Sequence, residues 1–146
     1  MVEVVIVLAI VVITSGVGIV RYSSSLRRYR VELAAQRLAA DLALVQTRAR
    51  TTGQARAIKV GDRADAYLLV DETAFSSGGD GHRVELHIEP YLVKIDGVRL
   101  DIGGNTLTFD GYGTPNSGLQ VELVSGDQRR SVIVEAVTGR IRIDAN

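Results

Sequence analysis

Residues 4–20 carry no charged side chain, and apolar residues fall on every side of any helix drawn through them. A soluble surface helix shows an apolar stripe instead. About 17 residues rise ~25 Å, and adding residues 1–3 brings the run to the ~30 Å of a hydrocarbon core. The pattern predicts a membrane anchor. A buried core helix fits poorly because no face is polar. A cleavable secretory signal also fits poorly, since the run lacks a basic n-region and no small-x-small site follows it. One acid, Glu3, sits near its start. A carboxylate inside a membrane costs roughly 3 kcal/mol or more unless a partner meets it, so this helix is expected to have a neighbour. The other reading of Glu3 is a solvated place at the lipid interface, favoured by the dipole of the helix N-terminus.

From residue 26 to about residue 51 the pattern becomes a stripe. Val31, Ala34, Ala35, Leu38, Leu42, Val45 and Ala49 recur at spacings of three and four. Arg30, Glu32, Arg37, Asp41 and Arg48 are expected largely off that stripe. No proline occurs before Pro90. The two segments therefore predict one continuous helix of about 50 residues, ~75 Å long. Gly16, Gly18 and residues 23–25 are its soft spots, and Gly53 is its natural stop.

After Gly53 the period falls to two. Short strands are expected at 55–60, 66–70, 84–88, 91–95, 98–102, 106–109, 119–124, 131–137 and 140–143. Turn-forming clusters separate them at 61–62, 76–81, 96–97, 103–105, 111–118, 126–127 and 138–139. Asp96-Gly97 reads as a hairpin turn, and 76–81 as a mobile loop. Strands this close together, with no helical period between them, argue for antiparallel pairing. The expected class is α+β: a long N-terminal helix with a membrane half and an amphipathic half, packed on a small antiparallel β-sheet or β-sandwich domain. The expected division is 1–20, 21–52 and 53–146.

Composition narrows the chemistry. The chain has 146 residues, 17 basic and 17 acidic, with no net charge and no cysteine. Beyond the anchor there is room for one small domain. Disulfides and thiolate sites are excluded. His82 and His87 lack a second ligand at metal spacing. Asp71-Glu72, Asp80 and Asp127 make no calcium-loop pattern. Gly111-Tyr112-Gly113 does not join a strand to a helix, so it reads as a turn and not as a phosphate loop. No residue set supports catalysis, so no enzyme activity, cofactor or metal is expected. Arg21, Arg27, Arg28 and Arg30 cluster just after the anchor. By the positive-inside tendency alone, they would hold the β domain in the cytoplasm. Their other readings are a solvated face or contact with lipid headgroups. In Gly139-Arg140-Ile141-Arg142 the two arginines fall on one face of an expected edge strand, where charge discourages unwanted pairing.

The start Met1-Val2-Glu3-Val4-Val5-Ile6, running into an amphipathic helix and a β domain, resembles a type IV pilin or pseudopilin. Leu107-Thr108-Phe109-Asp110-Gly111-Tyr112-Gly113-Thr114-Pro115, Gly118-Leu119-Gln120, Ser131-Val132-Ile133-Val134 and Thr138-Gly139-Arg140-Ile141-Arg142 narrow it. This order is similar to the minor pseudopilin H of type II secretion and the FimT-like minor pilins (the GspH/FimT family), which set two β sheets against the helix. In that family a membrane peptidase, the prepilin peptidase, removes a basic leader ending in glycine, and the new first residue is methylated. Here the glycine, the Phe-Thr pair and the leader do not precede Glu3. The chain reads as one begun at an internal methionine or truncated, and a leader would restore the charge balance across the anchor.

The resemblance implies a structural subunit, held in the inner membrane by a single pass with its C-terminal domain in the periplasm. Its partners would be other pseudopilins or pilins through the N-terminal helix, the lipid bilayer, and the prepilin peptidase as processing enzyme. Glu3 would pair with the N-terminal amine of an adjacent subunit and set axial register during assembly. Gly16 and Gly18 would allow close approach of helices or local unwinding. The implied function is that of a minor pseudopilin of a type II secretion system. The alternatives are a FimT-like minor pilin touching DNA through Arg140 and Arg142, joined by Arg129-Arg130, or a signal-anchored β domain that binds a partner and never polymerises. A neutral chain without an aromatic stacking platform counts against nucleic acid.

Overall fold

The computed structural model describes residues 2–61, 65–70 and 81–145, and the side chains of all of these except 13–22. Helix α1 (Val2–Thr52) runs unbroken for 51 residues. It ends where Gly53 takes a left-handed conformation, with φ at 65°, which costs glycine nothing because it has no Cβ. The hydroxyls of Thr52 and Thr51 donate to the Arg48 carbonyl at 2.7 and 3.2 Å, satisfying an acceptor that the helix end leaves open.

Among the described residues eight strands follow: β1 (Arg56–Val60), β2 (Ala66–Leu69), β3 (His82–Glu85), β4 (Lys94–Leu100), β5 (Thr106–Phe109), β6 (Leu119–Ser125), β7 (Gln128–Val134) and β8 (Ile141–Ala145). They form two four-stranded sheets, ordered β3-β2-β1-β5 and β4-β6-β7-β8. Every pairing is antiparallel. The expected α+β class holds, with a sheet on either side of the helix stripe.

Three expectations change. Asp96-Gly97 is no hairpin. It lies inside β4, where the register against β6 slips between Ile95 and Gly97, leaving Asp96 as the extra residue of a bulge. The ladder to β6 holds both halves of the strand in one line, and the Asp96 carboxylate reaches Arg129 of β7 at 2.8 Å.

Strands were also expected at 84–88 and 91–95. The first pairs only over His82–Glu85, and the chain then turns. The amides of Tyr91 and Leu92 donate to the Ile88 carbonyl at 3.0 and 3.1 Å. Pro90 has no amide proton with which to continue a ladder. Finally, β8 begins at Ile141 and leaves Arg140 in the preceding turn, while β7 spans 128–134 in place of 131–137. The loop expected at 76–81 falls outside the described residues, apart from Gly81.

All seven stripe residues of α1 are fully buried. They pack with Ile58, Tyr67, Leu69, Leu107 and Phe109 from one sheet, and with Leu119, Val121, Leu123, Val132 and Val134 from the other. Strict alternation on β6, with Leu119, Val121 and Leu123 inward, shows how period two builds that face.

Truncating Leu42 opens a hole where helix and sheets meet. Leu42→Ala is expected to cost about 2–5 kcal/mol, read as a lower urea midpoint at unchanged slope.

Candidate assembly surfaces and the contacts that position them

The described apolar side chains at the start of α1 stand uncovered. Val2, Val4, Val5, Ile6, Val7, Leu8, Ile10, Val11 and Val12 are each 53–72% exposed. Glu3 lies in the first turn, also exposed, where the helix dipole favours a carboxylate. Fully burying a Val, Leu or Ile side chain stabilises by roughly 1.5–3 kcal/mol, so this half of the helix gains most in an apolar environment. Among the described residues no helix is long and apolar enough to cross a membrane. The described apolar side chains stop at Val12; the remainder of the expected anchor, with Gly16 and Gly18, falls on side chains outside the description.

The amphipathic half is fixed to both sheets by polar contacts. Asp41, expected off the stripe, is only 6% exposed. It follows Leu38 by three and precedes Val45 by four, so helical spacing puts it on the buried face. Its Oδ2 accepts from the Tyr67 hydroxyl of β2 at 2.5 Å and from Arg37 Nε at 3.0 Å. Burial raises the Tyr67 hydroxyl far above its usual pKa, and the neighbouring Asp41 carboxylate raises it further. Burial works against the charge of Arg37, but Asp41 favours it and the net shift is upward.

On the other sheet, Arg130 Nε of β7 donates to Glu32 Oε2 at 2.8 Å, with the arginine side chain 14% exposed. That hydrogen bond is the main reason the Glu32 carboxyl lies below its ordinary 4.5, while partial burial opposes the shift. Near the C-terminal end of α1, Gln46 Nε2 donates to the carbonyls of Gly113 and Gly139 at 2.9 and 3.1 Å. Arg50 Nε donates to the Tyr112 carbonyl at 3.1 Å.

Gly111-Tyr112-Gly113 is a turn, as its sequence implied. Asp110 Oδ1 accepts from the amides of Tyr112 and Thr114 at 2.9 and 2.8 Å. A Cβ on Gly111 would come within 2.5 Å of the Gly53 carbonyl oxygen, so this glycine serves the close approach of the loop to the helix end.

The four C-terminal arginines do not form one patch. Arg140 and Arg142 are exposed. Arg140 is placed by its amide donating to Thr138 Oγ1 at 3.1 Å. Arg142 lies 3.8 Å from Glu135 and 3.7 Å from Asp144. Arg129 is paired with Asp96. Arg130 points to the opposite face of β7, toward the helix, and drops out of the group. His87 is 4.0 Å from Glu85. Among the described residues no cluster of His, Cys, Asp or Glu could hold a metal ion; Asp71-Glu72 and Asp80 lie outside them.

A sequence model of the family described as type II transport protein GspH matches residues 34–138. The structure of the type IV minor pilin FimU of Pseudomonas aeruginosa is similar at a TM-score of 0.59 and 17% identity, over 80% of this chain and 90% of that one. The structure of the minor pseudopilin EpsH from the type 2 secretion system of Vibrio cholerae is similar at a TM-score of 0.61 and 16% identity, over 80% and 97%. At such identities the likeness is one of fold. No curated protein sequence matches significantly.

Two substitutions test the polar ties. Tyr67→Phe leaves buried Asp41 short of a donor and is expected to cost about 1–3 kcal/mol by chemical denaturation. A raised tyrosine pKa favours the protonated form in the folded state. Its contribution is therefore intact below about pH 10 and lost as pH rises beyond, so the alkaline fall in Tm should be shallower in Tyr67→Phe than in wild type. Glu32 has the opposite sign. Its contribution is present above pH 4.5 and lost as pH falls, so Glu32→Gln should flatten the acid limb of the Tm profile and leave the alkaline limb unchanged.

Proposed function

The chain belongs to the GspH family of type II transport proteins, and we propose that it is a minor pseudopilin: a structural subunit, not an enzyme, of a short periplasmic filament that drives protein export. The family match across residues 34–138 carries this reading. The exposed apolar side chains between Val2 and Val12 support it, because such a helix is matched by lipid before assembly and by other subunits' helices after it. In this reading residues 1–20 anchor the chain in the inner membrane, 21–52 continue the helix, and 53–146 form the periplasmic domain. A prepilin peptidase processes it, and its partners are other pseudopilins.

Glu3 is the assembly residue. In a low-dielectric filament core its carboxylate is costly unless it meets a cation on the adjacent subunit. Coulomb attraction there depends steeply on distance, so the pair sets axial register as a subunit leaves the bilayer. Asp41–Tyr67, Glu32–Arg130 and Gln46 tie the rest of the helix to both sheets, so the β domain follows the helix as it moves.

The likeness to FimU favours a second reading within the same architecture, a minor type IV pilin. Exposed Arg140 and Arg142 are the residues that would meet DNA in that case. An anchored β domain that never polymerises would have no use for Glu3.

The test is crosslinking of membrane-inserted wild type and Glu3→Ala to candidate pseudopilins and minor pilins. Wild type should crosslink, and Glu3→Ala should lose most of that signal with insertion and folding unchanged. Equal yields would sink the role of Glu3. The partner set captured separates secretion from pilus assembly, and no pilin-like partner in either form would overturn both readings.

A further inference from the structure

One end of the β domain surrounds the point where the apolar helix leaves it. Leu26, Tyr29 and Arg30 of α1 and Glu89 and Pro90 of the β3–β4 turn line a single shallow cleft. The Ser125 hydroxyl, at the start of the β6–β7 hairpin, donates to the Leu92 carbonyl at 3.3 Å and so ties the hairpin to the same turn. Arg27 lies over the hairpin tip, near enough that a Cβ on Gly126 would sit 2.7 Å from its guanidinium.

This end exposes large apolar groups that the domain itself leaves uncovered. Tyr29, Ile88 and Leu92 are 64, 48 and 39% exposed. Leu92 is held in the left-handed region, with φ at 50°, a conformation that bulky residues avoid. Ile88 and Leu92 are at the surface of this turn, and Arg27 and Arg28 are exposed on the stretch of α1 that the turn and the hairpin meet.

The distances match a bilayer surface. The uncharged run ends at Val20. Arg27 and Arg28 follow it by about 10–12 Å of helix, while the headgroup layer adds ~5–7 Å on each side of the hydrocarbon. Helical side chains lean toward the helix N-terminus, so these guanidinium groups point back along the chain toward the anchor. The remaining separation lies within a Debye length at physiological salt. The turn also carries one acid, Glu89, which shares the cleft with Arg30. Exposed Ile88, Leu92 and Tyr29 with the further cations Arg27 and Arg28 give the chemistry of an interfacial site, where rings and aliphatic groups enter the headgroup boundary and cations meet lipid phosphates.

We infer that this face, built from Arg27, Arg28, Tyr29, Ile88 and Leu92, docks the domain on anionic lipid headgroups before assembly. The inference rests on the anchored-subunit reading above. Leaving the bilayer then means releasing this face as well as the apolar helix. A partner subunit covering the same face is the competing occupant.

The native chain has no cysteine, so a single label is clean. Full-length Ile88→Cys, carrying a fluorophore, is reconstituted into vesicles of phosphatidylcholine with or without phosphatidylglycerol. Quenching is read from a lipid bearing a nitroxide on its headgroup. Quenching should be at least about threefold stronger with phosphatidylglycerol. It should collapse toward the neutral-lipid value in ~1 M salt, where the Debye length is ~3 Å. Adding Arg27→Glu and Arg28→Glu should remove the contrast while the protein still floats with the vesicles. A label at Tyr112→Cys, about 35 Å further along the helix near Arg50, should stay unquenched.

Flotation without quenching at Ile88, or equal quenching at both sites, overturns the inference and leaves the anchor intact. Failure to float overturns the anchor reading, and this inference with it.

Discussion

The structure depends on one helix face being shared by two sheets. Val31, Ala34, Ala35, Leu38, Leu42, Val45 and Ala49 are all at or below 1% exposure, and the inner faces of both sheets close on them. Each sheet has four strands and one apolar face. Without the helix, both faces would meet water. Small residues at 34, 35 and 49 let the sheets come close, while Leu38 and Leu42 fill the middle. The domain is therefore less a body with a helix attached than two sheets organised around a rod.

Polar contacts fix how the rod sits in that groove. Apolar burial has little directional preference and would tolerate sliding or rotation. Asp41 meets Tyr67 on one sheet, Glu32 meets Arg130 on the other, and Gln46 meets two loop carbonyls near the helix end. These contacts lie on different turns of the helix and reach different elements, so a shift of one turn would break all of them. Breaking the buried one is costly because a carboxylate with few donors in a dry site has no water to turn to.

Much of this was legible in the chain. The stripe from Val31 to Ala49 marked the buried face, and Gly53 marked the end of the helix. Strand spacing gave an antiparallel β domain. Asp41 is polar, yet its spacing from Leu38 and Val45 puts it on the buried face, and position outweighs polarity there. Asp96-Gly97 failed for another reason. Asp and Gly suit a bulge as well as a turn, and the choice is made by Val121, Glu122 and Leu123, far downstream, holding the strand straight. Likewise Arg129 and Arg130 look alike in sequence, yet adjacent residues on a strand face opposite ways. One reaches Asp96 and the other reaches Glu32.

Glu3 and the exposed valines beside it belong to a different problem from the core. The second half of α1 carries its partner with it, since its buried face is satisfied within the same chain. The first half does not, and what surrounds it must come from elsewhere. A single unbroken helix joins the two halves, so movement of one half is carried directly into the other. Under the proposed function, a change of surroundings from lipid to neighbouring helices alters only the N-terminal contacts and leaves the domain core as it was. In the proposed assembly, the energetic difference between the two environments falls on the apolar side chains, which lipid and helices satisfy about equally, and on Glu3, which they do not. On that proposal, one carboxylate has a large share in choosing between the states.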